Sequence, residues 1–478
     1  MRNTVDWLIV GAGSAGCVLA DRLSARGDSV TVVEAGDDVV GRDDVEGLWS
    51  ASFFDAVSTP GRIWDDLTAR PMSGAEPRPY LRGRGVGGSS MVNAMVALWG
   101  EVDDYDGWER DFGCRGWSWR DVEPAFRRLE SVVRRAEHVE PTRLGGAVIE
   151  ACRADGWLPH RGPFPLGAVG ADVGPASLTI DESGRRAGAV DRLERARRRP
   201  AVTVLCGRLV DRVLIENGRA RGVLLQDGSE MAARRVVISA GAIHTPGILV
   251  RSGIDRPGIG RGLQDHPSMS ITAELVPESS DTTSSPRPAV SALARFSSGA
   301  VAADLQLLPI DHLGAFAGGF GSLAVAVMRP WSRGSVIVES DDPRVQPRVE
   351  LGLLADERDI VAMERGAEVL GRLVSSGDLD SAVSAWFVDD AGTRLDGSML
   401  EGDRLGELIR SRTGDYVHVS GTARMGDPAD EFTVVDPGGW VVGVEGLAVC
   451  DASVMPRLPR ANTHLPTMMI AEVMASRW

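Results

Sequence analysis

The chain has 478 residues, too many for one compact core, which predicts two or three modules. Hydrophobic residues make up 43% and charged residues 25%, the balance of an ordinary globular protein. A formal charge of −15 argues against nucleic acid or any other long polyanion as a partner.

The first thirty-odd residues organise the rest. An apolar run, 5–10, stops at Gly11, Gly13 and Gly16, a helix-like segment follows over 17–26, and a β-branched run, 30–33, closes on Glu34. This pattern predicts a strand, a tight turn, a helix whose N-terminus points at a pyrophosphate, and a parallel strand. Gly11 permits the turn, Gly13 lets backbone approach the phosphates, with Ser14 and Ala15 beside it, and Gly16 lets helix and strand pack closely. Glu34 lies 23 residues after Gly11, placed to accept hydrogen bonds from ribose hydroxyls and to disfavour a 2′-phosphate. An adenine dinucleotide is expected here, and this stretch alone leaves NAD or FAD open.

Further along, 79–93 packs glycines, serines and Asn93 into a segment that cannot be a core strand. Arg84, Gly87, Gly88 and Ser89 lie in it, and such a loop offers backbone N–H groups at close quarters to a phosphate or flavin. Residues 111–195 read as helical pieces without a strand pattern. The run Arg195 to Arg199 ends one of them before Pro200, where arginines complement the helix dipole and face solvent. Strands are expected at 202–206, 209–215, 219–225 and 236–241. From Ser268 the texture changes to about six short alternating strands, at 268–277, 291–296, 303–309, 322–328, 335–339 and 348–351, as an antiparallel sheet would give. A Ser/Thr/Pro-rich loop spans 278–288, a glycine-rich one 313–321, and an amphipathic helix is predicted over 355–373.

The motifs together resemble those of the glucose–methanol–choline (GMC) oxidoreductases, FAD-dependent alcohol oxidases and dehydrogenases. DWLIVGAGSAG with VVEAG resembles the family's FAD fingerprint. GRGVGGSSMVN, running on to Trp99-Gly100, resembles its first signature, and 241–254 most of its second. Gln264-Asp265-His266-Pro267 and two C-terminal blocks complete the set, so the resemblance spans nearly the whole chain. It implies an α/β fold in which a Rossmann-like FAD-binding domain (1–110, 200–267 and 433–478) interleaves with a six-stranded antiparallel substrate-binding α+β domain (111–199 and 268–432).

The resemblance also implies a site. Cofactor contacts are expected from Gly11, Gly13, Ser14, Ala15, Gly16, Glu34, Ala35, Arg84, Gly87, Gly88, Ser89, Asn93, Met95, Val210, Ala240, Gly241, Asp451, Ala452, Pro466 and Thr467. Seven histidines are present. His418, in a block resembling HPxGTxxMG, is expected to be the base that takes the alcohol proton, because an imidazole accepts protons near neutrality. His464, in a block resembling NxxxPTxMIAE, is expected to face it and orient the hydroxyl. The helix starting near Pro466 would direct its N-terminus at the flavin. Where some members carry a histidine tethered to the flavin this chain has Val92, so non-covalent FAD is expected. Val419 stands where proline is usual, Asp255 replaces a glycine, and the connector between Ile254 and Gly258 is short.

The expected activity is oxidation of a small-molecule alcohol to an aldehyde or ketone, with oxygen or another acceptor taking the electrons. The alternatives are a hydroxynitrile-lyase-like enzyme, a mycofactocin-associated dehydrogenase, or an inactive flavoprotein, against which the two histidines argue. The five cysteines are odd in number and widely spaced, which suggests neither a metal site nor a disulfide framework. A strand beginning by Val5 leaves no room for a signal peptide, and no apolar run nears the roughly 18 residues a bilayer requires. A cytoplasmic protein without a membrane partner is expected, and its oligomeric state is left open.

Overall fold

The computed structural model describes residues 4–39, 43–160, 162–167, 170–277, 288–311, 319–389, 391–400 and 402–478. Five strands run parallel in the order Val202–Leu205, Val30–Val33, Val5–Val10, Glu230–Ile238 and Leu447–Val449. These runs are apolar on both faces because both faces are covered: Leu8, Ile9 and Val236 to Ile238 are fully buried. The first half of Glu230–Ile238 turns antiparallel to Arg219–Leu225, which pairs in turn with Val210–Glu216.

Three helices pack together against this sheet: Ser14–Ser24, Ala189–Arg197 and the C-terminal helix His464–Arg477. The C-terminal helix has no polar face, and every residue from His464 to Ala475 is buried. Its one buried acid, Glu472, meets the guanidinium groups of Arg22, Arg128 and Arg192 at 3.3, 3.1 and 3.5 Å. The basic run does end a helix before Pro200, but its members are not simply solvated. Arg199 and Arg197 bind Asp21 and Asp38 at 2.9 and 2.6 Å, tying this helix to the dinucleotide-binding unit.

The second large sheet has seven strands, not six: Val383–Phe387, Ser268–Leu275, Phe320–Val327, Leu305–Ile310, Ala292–Phe296, Ala171–Pro175 and Leu158–Pro159. All neighbours are antiparallel except the last pair. Glu357–Ser375, started by Asp356 accepting from the Arg358 N–H, packs on it with Arg143–Ala154. Two of the expected strands, Gly334–Ile337 and Arg348–Glu350, leave this sheet. They join Arg261–Leu263, Thr68–Arg70 and Arg78–Pro79 in a small separate one. Alternation identifies a strand without naming its neighbour, and these two are short and flanked by Pro330, Pro343 and Pro347. Ala171–Pro175 lies in a stretch whose sequence showed no strand pattern. Of the two loops at 278–288 and 313–321, residues 278–287 and 313–318 lie outside the described residues. No described helix is long and apolar enough to cross a membrane.

Candidate active site

A cavity of about 420 Å³ runs from the first strand–helix turn to the foot of the C-terminal helix. Gly11, Gly13, Ser14, Ala15, Glu34, Ala35, Gly88, Ser89, Asn93, Met95, Val210, Ala240, Gly241, Asp451, Ala452 and Thr467 all line it, together with both His418 and His464. Gly16, Arg84, Gly87 and Pro466 do not. Gly16 packs on the first turn, where a Cβ would come within 2.0 Å of the Gly11 carbonyl oxygen. Gly87 donates its N–H to the Ala12 carbonyl, 2.7 Å, and Arg84 stacks on Trp64. Pro466 lies buried in the first turn of the C-terminal helix.

Helix starts make this cavity an anion site. The helices beginning at Ser14 and His464 have no side-chain cap, and both starts line the cavity. Free N–H groups and partial positive charge at such ends favour phosphate and other anions. A Cβ added at Gly13 or Gly241 would meet nothing within 4 Å, so these positions border space that the protein itself does not fill. An elongated space with N–H donors at its turns fits FAD.

Glu34 does more than border this space. Its carboxylate accepts from the backbone N–H groups of Ala12, Gly36 and Gly85 at 2.8, 2.9 and 3.1 Å. It thereby binds the two glycine-rich loops to each other. Asp451 likewise accepts from the Gly241 N–H, the Thr245 hydroxyl and the Ser453 N–H, at 2.9, 2.7 and 2.8 Å, and so fixes a helix start.

At the other end, His418 is half-buried and held from three sides. Its Nδ1 lies 3.0 Å from Nδ1 of His266, and its backbone N–H donates to Asp265 Oδ1 at 2.8 Å. The preceding residue, Val417, has φ +55°, a left-handed conformation that β-branched residues avoid, and Arg82 donates to its carbonyl. The Tyr80 hydroxyl donates to Asp265 Oδ2 at 2.7 Å. Burial, with His266 and Arg82 nearby, holds the His418 pKa well below the ordinary histidine value, so its imidazole is neutral at physiological pH. Burial likewise pushes His266 down to about 3. Burial, reinforced by the Asp415 carboxylate, pushes Asp265 up to about 7.

His464 is not paired with His418. Its Nδ1 lies 2.9 Å from Ser14 Oγ, and its Nε2 faces the backbone of Gly188, where a Cβ would come within 3.0 Å. Besides His266 and Asp265, His418 has Tyr416 beside it, whose ring lies edge-on at 4.8 Å, and Asn462 hydrogen-bonds Tyr416. Tyr416 donates to Gln306 at 3.0 Å, and Gln306 reaches Asn462 Oδ1 at 3.5 Å. Asn462 heads the C-terminal block that also carries His464, and both line the cavity. Nothing local in the sequence marks Tyr416 or Tyr80 as neighbours of His418.

The family model described as GMC oxidoreductase matches residues 5–268 with its N-terminal part and 330–471 with its C-terminal part. The chain is 33% identical to the 5-(hydroxymethyl)furfural oxidase of Methylovorus sp. (strain MP688), over 99% of both proteins. It is 31% identical to an oxygen-dependent choline dehydrogenase of Paraburkholderia xenovorans (strain LB400), over 99% of this chain and 94% of that one. Among solved structures, pyridoxine 4-oxidase from Mesorbium loti superimposes with a TM-score of 0.84 at 27% identity, covering 99% of each chain. The chain therefore belongs to the GMC oxidoreductase family, whose members bind FAD.

Proposed function

We propose that this enzyme oxidises an uncharged alcohol to its aldehyde or ketone, with His418 as the base. The observation that carries this reading is a neutral imidazole, aimed by a fixed peptide, lining the same cavity as two free helix starts. FAD, when bound, supplies the acceptor for the hydride. His418 takes the hydroxyl proton at Nε2, the nitrogen that His266 leaves free. Asn462 orients the hydroxyl through its side-chain amide. Val290, Leu308 and Ile310, from the substrate sheet side, exclude water and favour a substrate without charge. The named activities of the relatives, on 5-(hydroxymethyl)furfural, choline and pyridoxine, support an alcohol substrate.

The cofactor-binding part combines about 1–110, 200–267 and 433–478 with the helix Ala189–Arg197 packed on it, and most of the remaining segments form the substrate side. FAD is held without a covalent bond, because Val92 offers no nucleophile at the linkage position. Oxygen or another acceptor returns the enzyme to its oxidised form. Anaerobic mixing with a panel of alcohols tests the activity. Bleaching of the flavin absorbance, reversed by oxygen or a dye, is expected, and a flavin that no alcohol reduces would overturn the reading. Acid precipitation tests the linkage, and yellow colour remaining with the denatured protein would overturn that part.

A further inference from the structure

Arg186 is 2% exposed, and its guanidinium sits in a cage of oxygen atoms. Its Nε donates to the Leu48 carbonyl at 3.1 Å. Its Nη1 donates to the Ser90 and Asn93 carbonyls at 3.2 and 2.7 Å and to Asn93 Oδ1 at 2.6 Å. Its Nη2 is buried without a partner. Among the described residues no carboxylate pairs with it, whereas the buried guanidiniums of Arg192, Arg295, Arg329 and Arg460 each meet one. Burial pushes its pKa down to about 9, which still leaves it charged at neutral pH. Carbonyl groups solvate a buried cation but do not neutralise it, and an uncompensated buried charge is strongly unfavourable. Among the described residues no side chain supplies the compensating negative charge, and a bound anion would supply it.

The surroundings of Arg186 point to where that charge lies. Ser90 and Asn93 line the cavity, and the next residues, Ala94, Met95 and Val96, pack with Tyr416 and Ala461, the neighbours of His418 and Asn462. The field of Arg186 also reaches His464 at the start of the C-terminal helix. The cation thus stands behind the loop that borders the reacting end. Alcohol oxidation transfers two electrons as hydride while the hydroxyl proton goes to His418. The cofactor therefore leaves that step one charge more negative than it entered. We propose that Arg186 is the fixed positive charge that favours the reduced form of FAD and so raises its electron affinity. This rests on the reading of the cavity as an FAD site.

The test is the two-electron midpoint potential of the FAD-bound parent, Arg186→Met and Arg186→Lys, equilibrated with a reference dye under a chemical reductant. The FAD dissociation constant of each apoprotein is measured alongside. No alcohol is used, so failure of the proposed alcohol oxidation would leave the result intact. Arg186→Met is expected to lower the equilibrium constant for reduction at least tenfold, about 30 mV for a two-electron couple. Arg186→Lys, which keeps the charge, should stay within threefold of the parent. Equal potentials in all three proteins overturn the proposal. A loss of FAD affinity at unchanged potential also overturns it, by assigning the charge to the cofactor's phosphates. If Arg186→Met does not fold, Arg186→Gln takes its place, retaining a donor for the loop carbonyls. Failure of both to fold with FAD makes Arg186 a structural residue and overturns the proposal.

Discussion

His418 and His266 face each other through their Nδ1 atoms at 3.0 Å, so one ring must donate and the other accept. For His418 to serve as the base, His266 carries its proton on Nε2, a nitrogen buried without a hydrogen-bond partner among the described residues. His266 Nδ1 then accepts from His418 Nδ1–H, and His418 Nε2 is left as a bare lone pair. Only in that tautomer can His418 act as a base toward the cavity.

If His418 is the proposed base, replacing it should slow the chemistry while sparing the fold. His418→Ala is expected to lower the anaerobic rate of flavin reduction about 10²- to 10⁴-fold. That corresponds to roughly 3–5 kcal/mol of barrier. FAD content should match the parent. Reduction at the parental rate would remove His418 from the mechanism.

Asp265 gives the reaction a pH dependence. Its folded pKa is raised from the ordinary carboxylate value to about 7, so the carboxylate charge beside the His418 N–H is present above pH 7 and lost below it. The reduction rate should fall as pH drops through about 7, because the imidazolium that forms loses a stabilising anion. Asp265→Asn should be slow and flat over the same range. The linkage has the opposite sign for stability: the folded state binds the extra proton, so this carboxyl burdens the fold above pH 7 and is relieved as pH falls. Thermal melts of Asp265→Asn against the parent at pH 8 should show the variant gaining on the parent.

Asn462 and His464 both line the cavity but meet different partners, Gln306 and Ser14. Asn462→Ala should slow flavin reduction roughly 10- to 100-fold, as loss of a hydrogen bond to a charge-developing hydroxyl costs about 1.5–3 kcal/mol. His464→Asn should change that rate less and instead weaken FAD retention, since it gives up the contact with Ser14. A larger rate loss in His464→Asn than in Asn462→Ala would return the orienting role to His464.

Glu34→Ala leaves three buried backbone N–H groups without their acceptor. At ~1–3 kcal/mol for each orphaned donor, the apoprotein should lose roughly 3 kcal/mol or more of stability before any cofactor is considered. Chemical denaturation of the apoprotein measures this directly. An apoprotein as stable as the parent, binding FAD weakly, would make Glu34 a ribose ligand alone.

Sequence by itself determined the parts whose physics is local. Gly11 and Gly16 mark a turn where strand and helix meet within a Cβ's width, and that geometry needs only the residues between Val5 and Glu34. The β-branched runs buried on both faces, the helix after Asp356, and His418 in its block were legible for the same reason. Only the tertiary structure decided which groups meet across the chain. Strand alternation at 335–339 and 348–351 could not say that these strands leave the large sheet for Thr68–Arg70. The histidine at 464 shares a block with Asn462, yet a turn of backbone sends one to Ser14 and the other toward Tyr416. The pairing of His418 with His266, the clamp of Arg82 on Val417, and the isolation of Arg186 depend on residues tens to hundreds of positions apart. Such contacts are fixed by how the sheets and helices pack, and packing is a property of the whole fold that no window of sequence contains.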